Sequence, residues 1–499
     1  MSNHKTGKTF IGVSVTIFFS KLLGFARDIV FASVFGTTVL TDMFQVVFSF
    51  PSLLFSSIGT ALSAVNIPDL TYFINHRSRE ERNQYLANLY AQITLVATAI
   101  TILGIIFAPA LTRVIAPGFS PQITDLAVLL TRIMMPTLLF VSLTFLTAGV
   151  LQVHRYFLVS ASISIPFNML IIAALLWRGS DLVFLGYVTS LGWFLQFLIQ
   201  LPVLIREKYH WRFKLQWSDP YIRNTFRNLL PILMGNSLLQ LCLIIDRSFA
   251  THLSPGTAAS LAFGSNLFVT ITSVFIVGMT TVVFPRLSQH CLDADFESIR
   301  LLLGQVFKML LFILLPYLLL VICYHQQIIA LVYQRGAFGA ESTAMTSLAF
   351  WLYSFAVLGY LCQEIYNRVF YALKRFKIPM IASLCCVLLN LSLDYVFFRP
   401  AGIAGLSLST AGSMLLYAVL MSVMLTREIG SFISRDLVVY MIKLLLPSLA
   451  MLGVVWGFAA LGRGVNGLGF LLPLLISMAV YLGIAYFLGL IKVFFLKEV

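Results

Sequence analysis

The sequence predicts an all-α polytopic membrane protein with about fourteen transmembrane helices. Composition is the first reason. Of 499 residues, 59% are hydrophobic and 10% charged, with a mean hydropathy of +0.94, whereas soluble domains run about 45–50% apolar and about 25% charged. Span length is the second. Mostly apolar stretches recur from end to end, each long enough to cross a hydrocarbon core of about 30 Å. The third is pattern, since the alternating segments of about 10 residues that mark a membrane β-barrel are missing. Soluble multidomain enzymes, disordered chains and nucleic-acid binders are excluded.

The spans fall at about 11–35, 42–66, 86–112, 124–151, 157–177, 182–205, 228–251, 259–284, 303–324, 343–370, 378–398, 403–426, 437–460 and 466–491. The first follows a basic start, MSNHKTGKTF, but contains Lys21, Arg27 and Asp28 and has no small-residue cleavage site. It is expected to stay as a helix and not to be cleaved as a signal peptide. The second, with Pro51 and Gly59, and the eighth, with Gly278, contain helix-weakening residues of the kind transporter helices carry where they line a cavity. The sixth and ninth are the clearest.

Loop charge orients the bundle. With the N-terminus inside, the inner loops hold HRSREER (76–82), QVHRYF (152–157), REKYHWRFKLQW (206–217), ALKRFK (372–377) and TREIGSFISRD (426–436). About 22 of the 33 Lys and Arg then lie inside and about 6 outside, which favours cytoplasmic placement of both termini. The same asymmetry accounts for most of the +14 net charge without a polyanionic partner. The six cysteines lack CxxC or His/Cys spacing and read as inert core thiols.

The chain repeats itself at a nearly constant offset. Asp28-Ile-Val-Phe31-Ala32-Ser33 recurs 218 residues later as Asp246-Arg-Ser-Phe249-Ala250-Thr251, and Gly118 of APGF falls against Gly336 of RGAF. Val65 to Leu70 matches Val282 to Leu287, HRYF (154–157) faces KRF (374–376), and Asn168 faces Asn390. Each repeat holds six spans, an even number, so both enter the membrane in the same direction. The expected organisation is an N-terminal bundle at 1–205, a basic cytoplasmic linker at 206–227, a C-terminal bundle at 228–426 and two additional helices at 437–491. Two parallel six-helix repeats would form a V-shaped central cavity lined by spans one, two, seven and eight.

No loop is long enough to hold a soluble catalytic site, and HExxH, GxSxG and Walker motifs are missing. The chemistry therefore rests on charges inside helices. Lys21 and Arg27 would each cost about 2.5–3.5 kcal/mol at mid-membrane. Lys21 and Asp28, seven residues apart, share a helix face, whereas Arg27 points elsewhere. Two readings stand for this group: an ion-pair network that fixes helix packing, or a cationic wall for an anionic substrate such as a pyrophosphate, whose oxygens suit the guanidinium fork. Asp28 and Asp42 serve as counter-ions or as gate residues that pair with a basic group in one state. Glu364 and Arg368 form a self-neutralising i,i+4 pair. Asp246, Asn390, Asp394 and Thr410 offer oxygen either to interhelical hydrogen bonds or to a hard cation.

The segments SKLLGFARDIVFASVFG (20–36), Thr41-Asp42, Pro51, APGF (116–119), YQRGAF (333–338) and AGIAGLSLST (401–410) resemble the MurJ/MviN lipid II flippases of the multidrug/oligosaccharidyl-lipid/polysaccharide exporter superfamily. The similarity runs over essentially all spans. It implies a non-enzymatic flippase that moves undecaprenyl-pyrophosphate-linked peptidoglycan precursor across the cytoplasmic membrane by alternating access. It also implies a groove beside spans thirteen and fourteen for the lipid tail, and cell-wall synthesis machinery as a partner class. Residue by residue, Arg27 matches the family's cavity arginine and Asp42 its acidic residue, while Lys21 stands where arginine is common. Asp246, Asn390, Asp394 and Thr410, with the Leu406 carbonyl, match residues that coordinate Na⁺; no organic cofactor is implied. Phe55 and Asn266 stand where the family has arginines, and a glutamate near Gly59 is missing, so the cavity is less cationic than the family pattern. The alternatives are an exporter of another polyprenyl-linked saccharide and a cation-coupled multidrug antiporter.

Overall fold

The computed structural model describes residues 2–179, 181–209, 215–293, 295–460 and 467–494, and every regular element among them is helical. The side chains of Pro51, Phe55, Ser57 and Gly278, together with Gly59, lie outside the described residues. Eight helical segments among the described residues are long and apolar enough to cross a bilayer. A ninth arises if Pro220–Asn236 and Leu238–Ala250, bent by 58°, count as one broken span. The tally is below fourteen partly because Lys377–Ile429 carries two of the expected spans, while Leu471–Phe487, at 17 residues, is shorter than a full crossing.

Local chemistry sets the ends of these helices. Val39–His76 begins at Thr38, whose side chain accepts from the Thr41 N–H at 3.3 Å. Arg79–Ile106 starts with a capping box, in which Ser78 accepts from the Glu81 N–H and Glu81 accepts from the Ser78 N–H. The third expected span, 86–112, is broken at Phe107, after which a short helix, Ala108–Ile115, resumes. Pro109 near its start lacks an N–H to continue the ladder. Lys377–Ile429 breaks at Gly402, with φ 53° and ψ −130°, two residues after Pro400.

The sequence repeat has a structural counterpart in its basic turns. Arg155 and Lys374 both take the left-handed conformation, with φ 64° and 58°. Each is followed by a hydrogen bond back across the helix end, Tyr156 N–H to Leu151 O at 2.9 Å and Arg375 N–H to Phe370 O at 2.8 Å. This is the closing bond of a Schellman cap. A long basic side chain in that region costs about 1–2 kcal/mol relative to the right-handed form, so its occurrence in both repeats marks a shared turn. The far ends of the helical segments that follow these turns also correspond. The Arg178 guanidinium lies 5.8 Å from the Trp177 ring centre, and that of Arg399 lies 5.3 Å from Phe398.

The chain packs as two compact units, Met1–Ala259 with Arg335–Phe338, and Ser260–Gln334 with Gly339–Val499. In the first, Phe73, Tyr85, Leu89, Leu146 and Val150 form an apolar core between Val39–His76, Arg79–Ile106 and Thr137–Val153. Its basic connection is strapped down by polar contacts. Tyr209 shares a 2.6 Å hydrogen bond with His154 Nε2, and Tyr156 donates to Glu207 at 2.8 Å. Burial pushes the Tyr209 hydroxyl up to about 12 and holds His154 below its ordinary value, with Glu207 opposing that shift. In the second unit the last two long helices lie against Phe296–Tyr333. Tyr481 donates to the Phe312 carbonyl at 2.7 Å, and Lys308 pairs with Asp436.

Candidate functional site

Ser2–Phe35 carries the first group of intramembrane charges. Sequence periodicity aims Arg27 away from Asp28, because neighbouring residues differ by about 100° around a helix. The Arg27 side chain is long enough to cover that angle. Its Nε and Nη2 both donate to Asp28 Oδ1, at 3.0 and 2.7 Å. The guanidinium carbon sits 5.7 Å from the centre of the Phe167 ring, so an aromatic face supports the cation from the neighbouring helix. Side-chain exposure of 23% for Arg27 and 16% for Asp28 leaves the pair partly desolvated yet reachable. Lys21 is partly buried on the same helix. Between them Gly24 gives room to Asn168, whose amide nitrogen lies 3.5 Å from where a Cβ would stand. Asn168 is buried, and its Oδ1 has no hydrogen-bond partner.

Asp42 is placed differently from the first-helix charges. It is 4% exposed, and its two carboxylate oxygens accept from the Gly256 and Ala259 N–H groups at 2.6 Å each. Those donors belong to the start of Thr257–Leu292. A helix N-terminus presents unsatisfied N–H groups and a positive dipole end, so a buried carboxylate there is a cap supplied from another helix. Among the described residues Asp42 therefore pairs with backbone N–H groups.

Leu238–Ala250 brings two further charges into the first unit. Asp246 is fully buried, and its neighbour Arg247, 7% exposed, donates through Nη1 to Ser49 Oγ at 2.6 Å. Sequence reasoning passed over Arg247. The signal was present, because an arginine directly after an intramembrane aspartate demands a polar partner of its own.

In the second unit Asn390, Asp394 and Thr410 are all fully buried. A straight helix would hold Asn390 and Thr410 about 30 Å apart over twenty residues. The break at Gly402 folds the chain back, and Asn390 Nδ2 donates to Thr410 Oγ1 at 3.2 Å. Leu406 is buried on the same return arm. A carboxylate, an amide and a hydroxyl are hard oxygen donors of the kind Na⁺ accepts. Asp246 lies in the other compact unit. Glu364 and Arg368 pair with each other at 3.4 Å, as expected from their spacing. Asn266 is partly buried within Thr257–Leu292.

Membrane-spanning helices with partly buried charges at a helix–helix contact and a buried oxygen cluster at a helix break define a polytopic membrane transporter. The solved structure of a lipid II flippase MurJ in an inward closed conformation matches with a TM-score of 0.79 at 25% identity, over 96% of this chain and 98% of that one. An inward-facing multidrug resistance MATE transporter of the MOP superfamily shares the fold, with a TM-score of 0.65 at 15% identity over 85% of this chain and 98% of its own. Among sequences, the "Probable lipid II flippase MurJ" of Buchnera aphidicola subsp. Acyrthosiphon pisum is 28% identical over 460 residues, covering 90% of this chain and 89% of that protein. The family model for lipid II flippase MurJ matches residues 31–477. The chain belongs to the MurJ family, a family of transporters and not of enzymes.

Proposed function

We propose that this protein flips lipid II, the undecaprenyl-pyrophosphate-linked precursor of peptidoglycan, across the bacterial cytoplasmic membrane by alternating access. Family membership over residues 31–477 supports the substrate class. The observation that carries the chemistry is Arg27, partly buried in a membrane helix, backed by Phe167 and paired with its neighbour Asp28. Asp28 keeps the cation from standing unpaired when no substrate is bound. An incoming pyrophosphate offers more negative charge and a bidentate geometry, so it competes for the guanidinium and releases Asp28. Lys21 adds a second positive charge to the same helix. Both termini lie in the cytoplasm on this reading, and the repeats form two bundles at 1–205 and 228–426 that rock about the central cavity.

Asp394, Asn390 and Thr410 would hold a Na⁺ ion, with Asp246 and the Leu406 carbonyl completing the set. The ion would supply charge that lets buried carboxylates remain ionised. Its binding would bias one conformation by no more than its differential affinity for the two states.

A second reading is supported by Phe55 and Asn266. Apolar and neutral residues at positions where the family resemblance implies arginines favour a lipid-linked saccharide of lower charge than lipid II. One experiment separates the two. A model bacterium depleted of its own lipid II flippase is supplied with this chain, and growth and lipid II exposure at the outer leaflet are followed. Restoration of both is expected. A chain that reaches the membrane but restores neither overturns the lipid II reading.

A further inference from the structure

Ser33 and Thr251 occupy the same place in the two sequence repeats, and so do Gly118 and Gly336; both pairs are 218 residues apart. Within the first compact unit these four residues meet crosswise. Gly118, from the first repeat, donates its N–H to Thr251 Oγ1 at 3.0 Å. A Cβ on Gly118 would lie within 3.0 Å of the Thr251 carbonyl group, closer than real Cβ atoms come. Gly336, from the second repeat, stands in the same relation to the Ser33 carbonyl. The N–H of Ala337 then donates to that Ser33 oxygen at 2.8 Å. Each repeat's glycine turn thus rests on the end of the other repeat's first helix. This is the swapped reciprocity that a two-fold relation generates.

Turn geometry alone does not account for these glycines. Gly336 has φ +58°, a conformation that favours glycine whatever surrounds it. Gly118 has no positive φ, so a side chain there is barred by the approach of Thr251 and not by its own backbone. Two further contacts tighten the same end of the unit. Gly256 abuts the Thr37 carbonyl, and Asp42 caps the helix that follows Gly256. The contacts are short in range: four hydrogen bonds, two of them to Asp42, and three backbone approaches at Gly118, Gly336 and Gly256. Such an interface is close-fitting when shut.

We infer that the Gly118–Thr251 and Gly336–Ser33 contacts are the two halves of one pseudo-two-fold latch. The loop-charge pattern places all four residues at the outer face, so the latch closes the outer end of the transport path. Because each half joins opposite repeats, the halves open together. The inference rests on the transport reading for its consequence, but it is tested without any substrate.

The test uses the full chain with its six native cysteines replaced by alanine and Gln45→Cys as reporter. Gln45 is buried one turn beyond Asp42 on the same helix. Intact cells are treated with a membrane-impermeant maleimide. Three variants are compared with the parent. Gly118→Ala adds one methyl group. Gly336→Asn adds a side chain that tolerates left-handed φ. Thr251→Val removes the acceptor hydroxyl at nearly constant volume. Each is expected to raise the labelling rate about tenfold, the effect of ~1.4 kcal/mol lost from the closed state. Gly118→Ala and Gly336→Asn combined should multiply to about a hundredfold, because both subtract from the same closed state. Unchanged labelling in all three variants, with membrane abundance and a single gel-filtration peak retained, overturns the latch. Effects that merely sum in the double variant overturn joint opening. Should the glycine variants fail to accumulate, Thr251→Val decides the outcome. A failure of the complementation experiment leaves this result untouched.

Discussion

Arg27 is held by two hydrogen bonds to Asp28 and by the face of Phe167, and that geometry permits its structural and functional roles to be measured separately. An exposed ion pair contributes about 0–1 kcal/mol, whereas losing one partner of a fully buried pair costs about 3–5 kcal/mol because the other charge is stranded. With side chains 23% and 16% exposed, this pair falls between those limits. Arg27→Ala should therefore destabilise the protein by about 1–2 kcal/mol, most of it from the unpaired Asp28 carboxylate. Asp28→Ala should cost a similar amount by stranding the guanidinium. Removing both charges should recover most of the loss, giving a coupling of about 2–3 kcal/mol in the double-mutant cycle. Stability is read as the thermal midpoint of purified protein in one detergent, and transport as lipid II exposed at the outer leaflet at matched abundance. If Arg27 grips pyrophosphate, the double variant is stable and inactive, and Arg27→Lys is partly active because it keeps charge but loses the fork. Normal transport by the stable double variant would refute the anion-clamp reasoning outright.

Three further outcomes follow from other contacts. Asp42→Asn keeps the shape of the side chain but leaves one of the two helix-end donors facing an amide N–H₂, a loss of about 1–3 kcal/mol; the Gln45→Cys reporter should become accessible from outside, and a reporter as protected as the parent would show that the cap does not hold the closed state. Millimolar Na⁺, but not equimolar choline, should raise the thermal midpoint, and Asp394→Asn should abolish the increase. A response to protons alone would make the Asp394 cluster a protonation switch instead. His154, whose folded-state value lies below the ordinary 6.5, contributes stability that is present above that pH and is lost as pH falls through its folded value. Lowering pH from 7.5 to 5 should therefore lower the thermal midpoint, by an amount that shrinks in His154→Gln; identical pH profiles for the two proteins would remove His154 from the account.

The sequence by itself determined the membrane class, the helical architecture and the repeat, because each depends on local composition or on a register that can be compared residue by residue. Hydropathy integrates over a single span, and a repeated Asp-x-x-Phe-Ala motif needs no knowledge of packing. It also located Lys21, Arg27 and Asp28, since a charge in an apolar run stands out wherever it points. What the charges touch was decided by the tertiary structure. Arg27 curls onto Asp28, although helical periodicity separates them, because partial burial favours neutralisation over the unperturbed rotamer direction. The partner of Asp42 is a pair of backbone N–H groups more than 200 residues away, and backbone donors leave no trace in residue identity. Asn390 and Thr410 were expected in separate spans of one cluster, but their contact exists only through the turn at Gly402. The crosswise meeting of Gly118 with Thr251 and Gly336 with Ser33 was hidden for the same reason. A repeat shows which residues are equivalent, and only packing shows that equivalent residues exchange partners.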